Sequence, residues 1–329
     1  MLIVMDKAAS GEQIEAVAEL ISSMGLRAQV LPGSIRTAIG VMGNVGYVDA
    51  DQVLLMPGVN EIIHVSKPYK LVSREWRPED TVVHVGEVGF GEGCPFAIIA
   101  GPCSVESHEQ ALTCAREVKG LGAGVFRGGI FKPRTTPYAF RGLGEKGVEI
   151  LSEIRNSVGL PVVTEVMHVS NIDLVASCAD MLQIGTRNMQ NFDLLLEAAK
   201  TGMPILLKRG MSARLEEFLL AAEYILDAGN SQVVLCERGI RTFETATRNT
   251  LDLNSVALAR EVSHLPIIVD PSHGTGKASL VNPLSLAARA VGAHGIMVEV
   301  HPDPKKALSD GQQSLDFEGF ADLAKALEK

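Results

Sequence analysis

GLPVVTE (159–165), GMPILLK (202–208) and HLPIIVD (264–270) share one pattern: a proline, a short apolar run, then a charged residue. A proline at the first strand residue loses little ladder bonding, because its missing N–H falls at the margin of the paired stretch. The same texture recurs outward from these three. FAIIAG (96–101), GVFRGG (124–129), PVVTEV (161–166), MLQIG (181–185), PILLKRG (204–210), QVVLCERG (232–239), PIIVDPSH (266–273) and GIMVEVHP (295–302) make eight runs. They are continuous rather than alternating, as strands buried on both faces of a parallel sheet are. Their starts lie between 20 (181 − 161) and 37 (161 − 124) residues apart, and most intervals leave room for a crossover helix. ESHEQALTCAREVKGLG, MQNFDLLLEAAKTG and NPLSLAARAVGAHG read as three such helices, each closed by glycine. Eight strand–helix units over residues 96–329 predict an α/β fold, a (β/α)8 TIM barrel. A doubly wound open sheet is the alternative, but its Gly-rich first βα turn is missing.

Upstream the texture differs. MLIVMD (1–6) reads as a strand, and GEQIEAVAELISSMG (11–25) as a helix with a stripe of Ile14, Val17, Ala18 and Ile21. RAQVLPG and TAIGVMG are short strands, VDADQVLLMPG (48–58) a second short helix and NEIIHVS (60–66) a last strand. The order β-α-β-β-α-β predicts a small ferredoxin-like α+β domain over residues 1–70. Residues 71–95 carry mixed charge and the glycines Gly86, Gly89, Gly91 and Gly93, and read as a linker with a short strand at TVVHVGEV.

Composition bounds the function. The 329 residues are 46% apolar and 21% charged, enough for a large core and unlike a disordered chain. A net charge of −9 and an aromatic content of 5% disfavour nucleic-acid and anionic-membrane partners. No window offers eighteen uninterrupted apolar residues, and Asp6 comes too early for a secretory signal. Five cysteines without a CxxC point to a reducing cytoplasm and no disulfide framework.

In a TIM barrel, chemistry sits at the C-terminal ends of the strands. Two groups of residues fall there. Arg127, Lys132, Arg134, Arg187, Lys208 and Arg238 are cations, most simply explained by phosphate or carboxylate ligands that arginine grips bidentately. Structural pairing with Glu165, Glu237 and neighbouring acids is the bland alternative. Cys103, His273, Glu299 and Asp310 offer the thiolate, imidazole and carboxylates of a metal site. Such a mixed set suits a borderline divalent ion better than Mg²⁺. No sequence spacing supports the set, and each member alone reads as ordinary packing or hydrogen bonding. His64, His84, His108 and His264 have no visible partners and read as surface or packing residues.

IAGPCSVES (99–107), FRGGIFKPRTTPYAFRGLGEKG (126–147), IGTRNMQNF (184–192), LLKRGM (206–211), CERGIRT (236–242), DPSHGTGK (270–277) and VEVHPDP with SDGQQSL (298–315) stand in an order that resembles 3-deoxy-D-arabino-heptulosonate-7-phosphate (DAHP) synthase. The resemblance is narrower still to the group with an N-terminal ferredoxin-like domain. It implies a metal-dependent transferase of the shikimate pathway, the first step towards aromatic amino acids. That reaction joins phosphoenolpyruvate, erythrose 4-phosphate and water into DAHP and phosphate. By resemblance, Cys103, His273, Glu299 and Asp310 hold a divalent ion of the Mn, Fe, Co or Zn type. Arg127, Lys132, Arg187, Lys208 and Arg238 are similar to residues that hold phosphoenolpyruvate. Arg134 and Thr135 resemble the anchor of erythrose 4-phosphate. Two anionic substrates repel unless cations neutralise them. Lys132, between the substrates, is the candidate acid for the new alkoxide, and Glu165, or a water held by the metal, the candidate for handling the proton of the added water. The resemblance also implies feedback inhibition by tyrosine or phenylalanine through residues 1–70, and a homodimer or homotetramer.

Three rivals stand beside this reading. A 3-deoxy-D-manno-octulosonate-8-phosphate synthase would use arabinose 5-phosphate, but that family carries a Lys-Ala-Asn-Arg-Ser segment where this chain has KPRTT. A Schiff-base aldolase would use Lys208 as the carbonyl-condensing lysine. The third takes residues 1–70 as a binding or regulatory module, with assembly or cover of the barrel as its bland alternative.

Overall fold

The computed structural model describes residues 1–33, 36–43, 50–63, 68–133, 136 and 138–328. It divides into two compact units, Met1–Lys70 and Leu71–Lys329. In the first, β1 (Leu2–Met5), β2 (Arg27–Pro32), β3 (Thr37–Met42) and β4 (Val59–Ile63) form an antiparallel sheet in the order β2-β3-β1-β4. The helix Gly11–Ser23 starts at a capping box: Ser10 Oγ accepts from Gln13 N at 3.3 Å, and Gln13 Oε1 accepts from Ser10 N at 2.9 Å. Its apolar face buries Val17 and Ile21 against Ile3, Ile39, Val41 and Val53. This is the expected ferredoxin-like arrangement. The second helix spans only Asp51–Leu54 among the described residues, with 44–49 lying outside them. The last strand ends at Ile63, and 64–67 lie outside as well.

The second unit opens with a hairpin of β5 (Val83–Val85) and β6 (Val88–Phe90). Eight strands follow: β7 (Ala97–Gly101), β8 (Val125–Arg127), β9 (Val162–Val166), β10 (Met181–Ile184), β11 (Ile205–Lys208), β12 (Val233–Glu237), β13 (Ile267–Val269) and β14 (Gly295–Glu299). They close into a parallel barrel in which β14 pairs with β7 over five residues. The three expected prolines stand one residue before β9, β11 and β13. Each carbonyl accepts a bond from the preceding strand: Phe126 N to Pro161 O at 2.8 Å, Leu182 N to Pro204 O at 2.9 Å and Leu235 N to Pro266 O at 2.8 Å. A residue that cannot donate therefore sits where only acceptance is needed. Two expected helices appear as His108–Gly120 and Phe192–Ala199. The third starts at Ala278 rather than Asn282, because Pro283 in its second turn forfeits only one ladder bond. Among the described residues, no helix is long and apolar enough to cross a membrane.

The barrel bore is filled. Ala97, Ile99, Val125, Val163, Met181, Leu206, Val234, Cys236, Ile268 and Met297 belong to one buried cluster, and Val83, Val85 and Phe90 of the hairpin join it from below. Residues 71–95 are therefore not an open linker. Trp76, Val72 and Ser73 are buried, and Thr81 N donates to His264 O at 2.9 Å. The Thr81 hydroxyl donates to His264 Nδ1 at 2.8 Å, while His264 Nε2–H donates to Leu71 O at 2.7 Å. The single strand expected at TVVHVGEV is a hairpin that turns at Gly86, whose φ of 58° favours glycine. Strands of three residues are too short to show a period, and their apolar face finds its partner only once the barrel floor exists.

Candidate active site

Charged side chains converge where the barrel strands end. Arg127, Lys208, Glu237 and Glu299 are the last residues of β8, β11, β12 and β14. Glu165 lies on β9, and Arg187 sits in the short turn Thr186–Asn188 after β10. Asp270 follows β13 and caps the helix Pro271–Thr275, accepting from His273 N at 2.9 Å. Pro271 at the first helical position needs no donor there. Asp310 adopts φ 50°, the only positive φ outside glycine among the described residues.

Cys103, His273, Glu299 and Asp310 come together: one ligand atom from each lies within 4.8 Å of all the others. The Cys103 thiol donates to Asp310 Oδ2 at 3.1 Å. His273 Nδ1–H donates to Asp270 Oδ2 at 2.7 Å, which leaves Nε2 bare and 3.2 Å from Glu299 Oε1. Burial, against the pull of Asp270 and Glu299, lowers the His273 pKa to about 4, so the ring is neutral near pH 7. Two bare acceptors 3.2 Å apart repel unless a cation lies between them. Glu299 Oε1 is fully buried and accepts no hydrogen bond, although Arg127 Nη2 is 3.1 Å away. Burial, and then Glu299, push the Cys103 thiol up to about 12. Burial opposes the Asp310 charge, but His273, the Cys103 donor and Arg248 outweigh it and hold that carboxyl at about 2. This donor set fits a divalent cation, which would relieve the facing acceptors and deprotonate the thiol.

Arg127, Lys132, Arg187, Lys208 and Arg238 line an adjoining pocket of about 230 Å³ with Glu165, Gln183, His273 and Asp310. Arg127 is 4% exposed, and its Nε and Nη1 have no hydrogen-bond partner. Arg238 is equally buried, and its Nε is also unpartnered. Arg187 and Arg238 make no ion pair among the described residues. Lys132 donates to Cys103 O at 3.1 Å; burial opposes its charge, but Cys103 and Glu165 outweigh this and raise its pKa. Lys208 pairs with Asp270. Burial raises the Glu165 pKa against four surrounding cations. Gly185 makes room for that carboxyl, since a Cβ there would stand 1.9 Å from Glu165 Oε1. Arg134 and Thr135 lie outside the described residues.

Sequence reasoning did not find two members of this site. Arg248 lines the pocket and donates to Asp310 Oδ1 at 3.3 Å and Gln313 Oε1 at 2.8 Å. Gln313 is buried and donates to Glu299 Oε2 at 2.6 Å. Each fixes a carboxylate of the four-residue set from a loop, where no strand-end pattern points to it.

Residues 73–329 match the profile of the DAHP synthetase I family, and residues 1–67 that of the DAHP synthase ferredoxin-like domain. The chain belongs to the DAHP synthetase I family. Within that family it is similar to a phospho-2-dehydro-3-deoxyheptonate aldolase of Thermotoga maritima, 53% identical over 329 residues that cover 100% of this chain and 97% of the relative. The crystal structure of the Thermotoga maritima enzyme superposes with a TM-score of 0.79 at 52% identity, covering 99% of this chain and 96% of that one. A 2-dehydro-3-deoxyphosphooctonate aldolase of Syntrophotalea carbinolica is 37% identical over 252 residues, 71% of this chain and 90% of its own. The likeness to the Thermotoga maritima enzyme thus spans both units, whereas this last relative matches only part of the chain.

Proposed function

We propose that this chain is a DAHP synthase that condenses phosphoenolpyruvate with erythrose 4-phosphate, and that its pocket carries the reaction. The observation that supports this best is one juxtaposition. Buried guanidinium donors of Arg127 and Arg238 lack partners, and they adjoin the Cys103, His273, Glu299 and Asp310 ligand atoms. Unsatisfied buried donors are costly unless an anion completes them. In this reading Arg127, Arg187, Lys208 and Arg238 grip the phosphate and carboxylate of phosphoenolpyruvate, with Lys132 at the boundary between substrates. Arg134 and Thr135 anchor the phosphate of the sugar. Cys103, His273, Glu299 and Asp310 would hold a divalent ion of the Mn, Fe, Co or Zn type, which would supply Lewis-acid polarisation of the aldehyde.

The protein's own groups handle the protons. C3 of phosphoenolpyruvate attacks the aldehyde carbon, and Lys132, kept cationic by Cys103 and Glu165 against its burial, gives a proton to the new alkoxide. Water adds at C2 and phosphate leaves with C–O cleavage. Glu165, its pKa raised by burial, takes the proton of that water. Lys208 is paired with Asp270, which holds its amino group against that carboxylate and argues against a Schiff-base aldolase. The ferredoxin-like unit is the seat of feedback inhibition by tyrosine or phenylalanine, and the active species is a dimer or tetramer. The five cysteines are free, which suits a reducing cytoplasm.

Assays with both aldoses test this reading. Erythrose 4-phosphate should be turned over and arabinose 5-phosphate should not. Chelation should abolish turnover, and one of the four ions should restore it. Full-rate turnover by metal-free protein, or a preference for the five-carbon sugar, would overturn the proposal.

A further inference from the structure

Arg209 follows the pocket residue Lys208, yet its side chain turns away from the pocket and is 4% exposed. Its Nε donates to Ala213 O at 3.0 Å. Its Nη1 is shared by Glu237 Oε2 at 2.8 Å and Asp252 Oδ2 at 2.9 Å. The other oxygen of Glu237 accepts from Gly239 N at 2.6 Å and Asp252 N at 3.4 Å. Arg238 stands between the residue that supplies this carboxylate and the residue whose amide it grips. Gly239 has φ 95°, and a Cβ there would meet Asn249 Cβ at 2.8 Å and Gly274 Cα at 3.0 Å. The turn is therefore tied from one side and packed from the other.

Arg238 itself has little else to aim it. Its one hydrogen bond is from Nη1 to Gly239 O at 3.3 Å, its Nε has none, and no carboxylate pairs with it among the described residues. A buried cation without a carboxylate is free to bind an anion, but only while neighbouring carboxylates are engaged elsewhere. Glu237 is the adjacent residue in the chain, is 1% exposed, and is engaged by Arg209.

We propose that the Arg209–Glu237–Asp252 network is a positioning device for anion binding, with Arg209 and Glu237 as positioning residues. It locks the turn that carries Arg238, and it occupies a neighbouring carboxylate that would otherwise pair with that guanidinium. The proposal rests on the reading of Arg238 as a ligand of phosphoenolpyruvate.

The test uses the full chain and measures phosphoenolpyruvate binding by calorimetry, both KM values, kcat and thermal melting. Arg209→Met should weaken phosphoenolpyruvate binding and raise its KM by about tenfold or more, with the KM for erythrose 4-phosphate within about twofold of the parent. Adding Glu237→Gln, which removes the stray charge but keeps an acceptor for Gly239 N, should recover much of that loss. Cooperative folding of Arg209→Met with parental phosphoenolpyruvate affinity, or equal losses for both substrates, would overturn the proposal. Should Arg209→Met not fold, Arg209→Lys keeps the charge and loses the reach to Ala213 O. A rise of about threefold in the phosphoenolpyruvate KM then supports the proposal, and parental values overturn it. Parental protein that fails to bind phosphoenolpyruvate would overturn the underlying reading, and no variant is needed to see it.

Discussion

Asp270 spends a single oxygen on two neighbours. Its Oδ2 receives both Lys208 and His273 Nδ1, so it orients a candidate metal ligand and a candidate substrate cation together. Such outer carboxylates set the tautomer and basicity of the imidazole they hold. Asp270→Asn should lower divalent-ion affinity by about 10–100-fold, read by competition with a chromogenic chelator rather than by turnover. Unchanged affinity in a folded variant would show that Asp270 only packs. Lys132 carries a second expectation. Lys132→Met should cut kcat by about 10²–10⁴-fold if the ammonium group is the acid. Near-parental turnover would remove that role. The individual site residues were only partly legible in the sequence. Cys103, His273, Glu299 and Asp310 are separated by long intervals, so their place around the barrel's strand ends grouped them and the motif resemblance gave their role, with no help from spacing. Arg248 and Gln313 reach the site from loops, and an arginine or glutamine in a loop carries no mark of its target.

At the level of elements, the strand prolines were legible because a residue without an N–H has few places to go. The hairpin under the barrel was not, because Val83, Val85 and Phe90 acquire meaning only against residues far along the chain. His264 was read as a bystander, yet it pins that segment through Thr81 and Leu71. Burial lowers its pKa from 6.5 to about 4. The unfolded chain thus takes up a proton between those values while the folded chain does not. Stability from this residue is complete above about pH 6.5 and drains away as pH falls towards 4, by up to about 3 kcal/mol. Thermal melts from pH 7 to pH 4.5 should show the decline, and His264→Gln should flatten it. An equally steep decline in that variant would place the titrating group elsewhere.

On the scale of the whole molecule, each unit has its own core, and the second contains every described residue assigned to the reaction. Residues 71–329 expressed alone should therefore fold and turn over phosphoenolpyruvate, and should lose any response to tyrosine or phenylalanine. Inhibition that survives the truncation would move the effector site into the barrel. The corked floor has one more consequence. With Phe90 and its neighbours sealing the base and packed side chains filling the bore, the pocket is a blind alley. In the proposed reaction, reactants would enter and phosphate would leave through the same mouth at the strand ends.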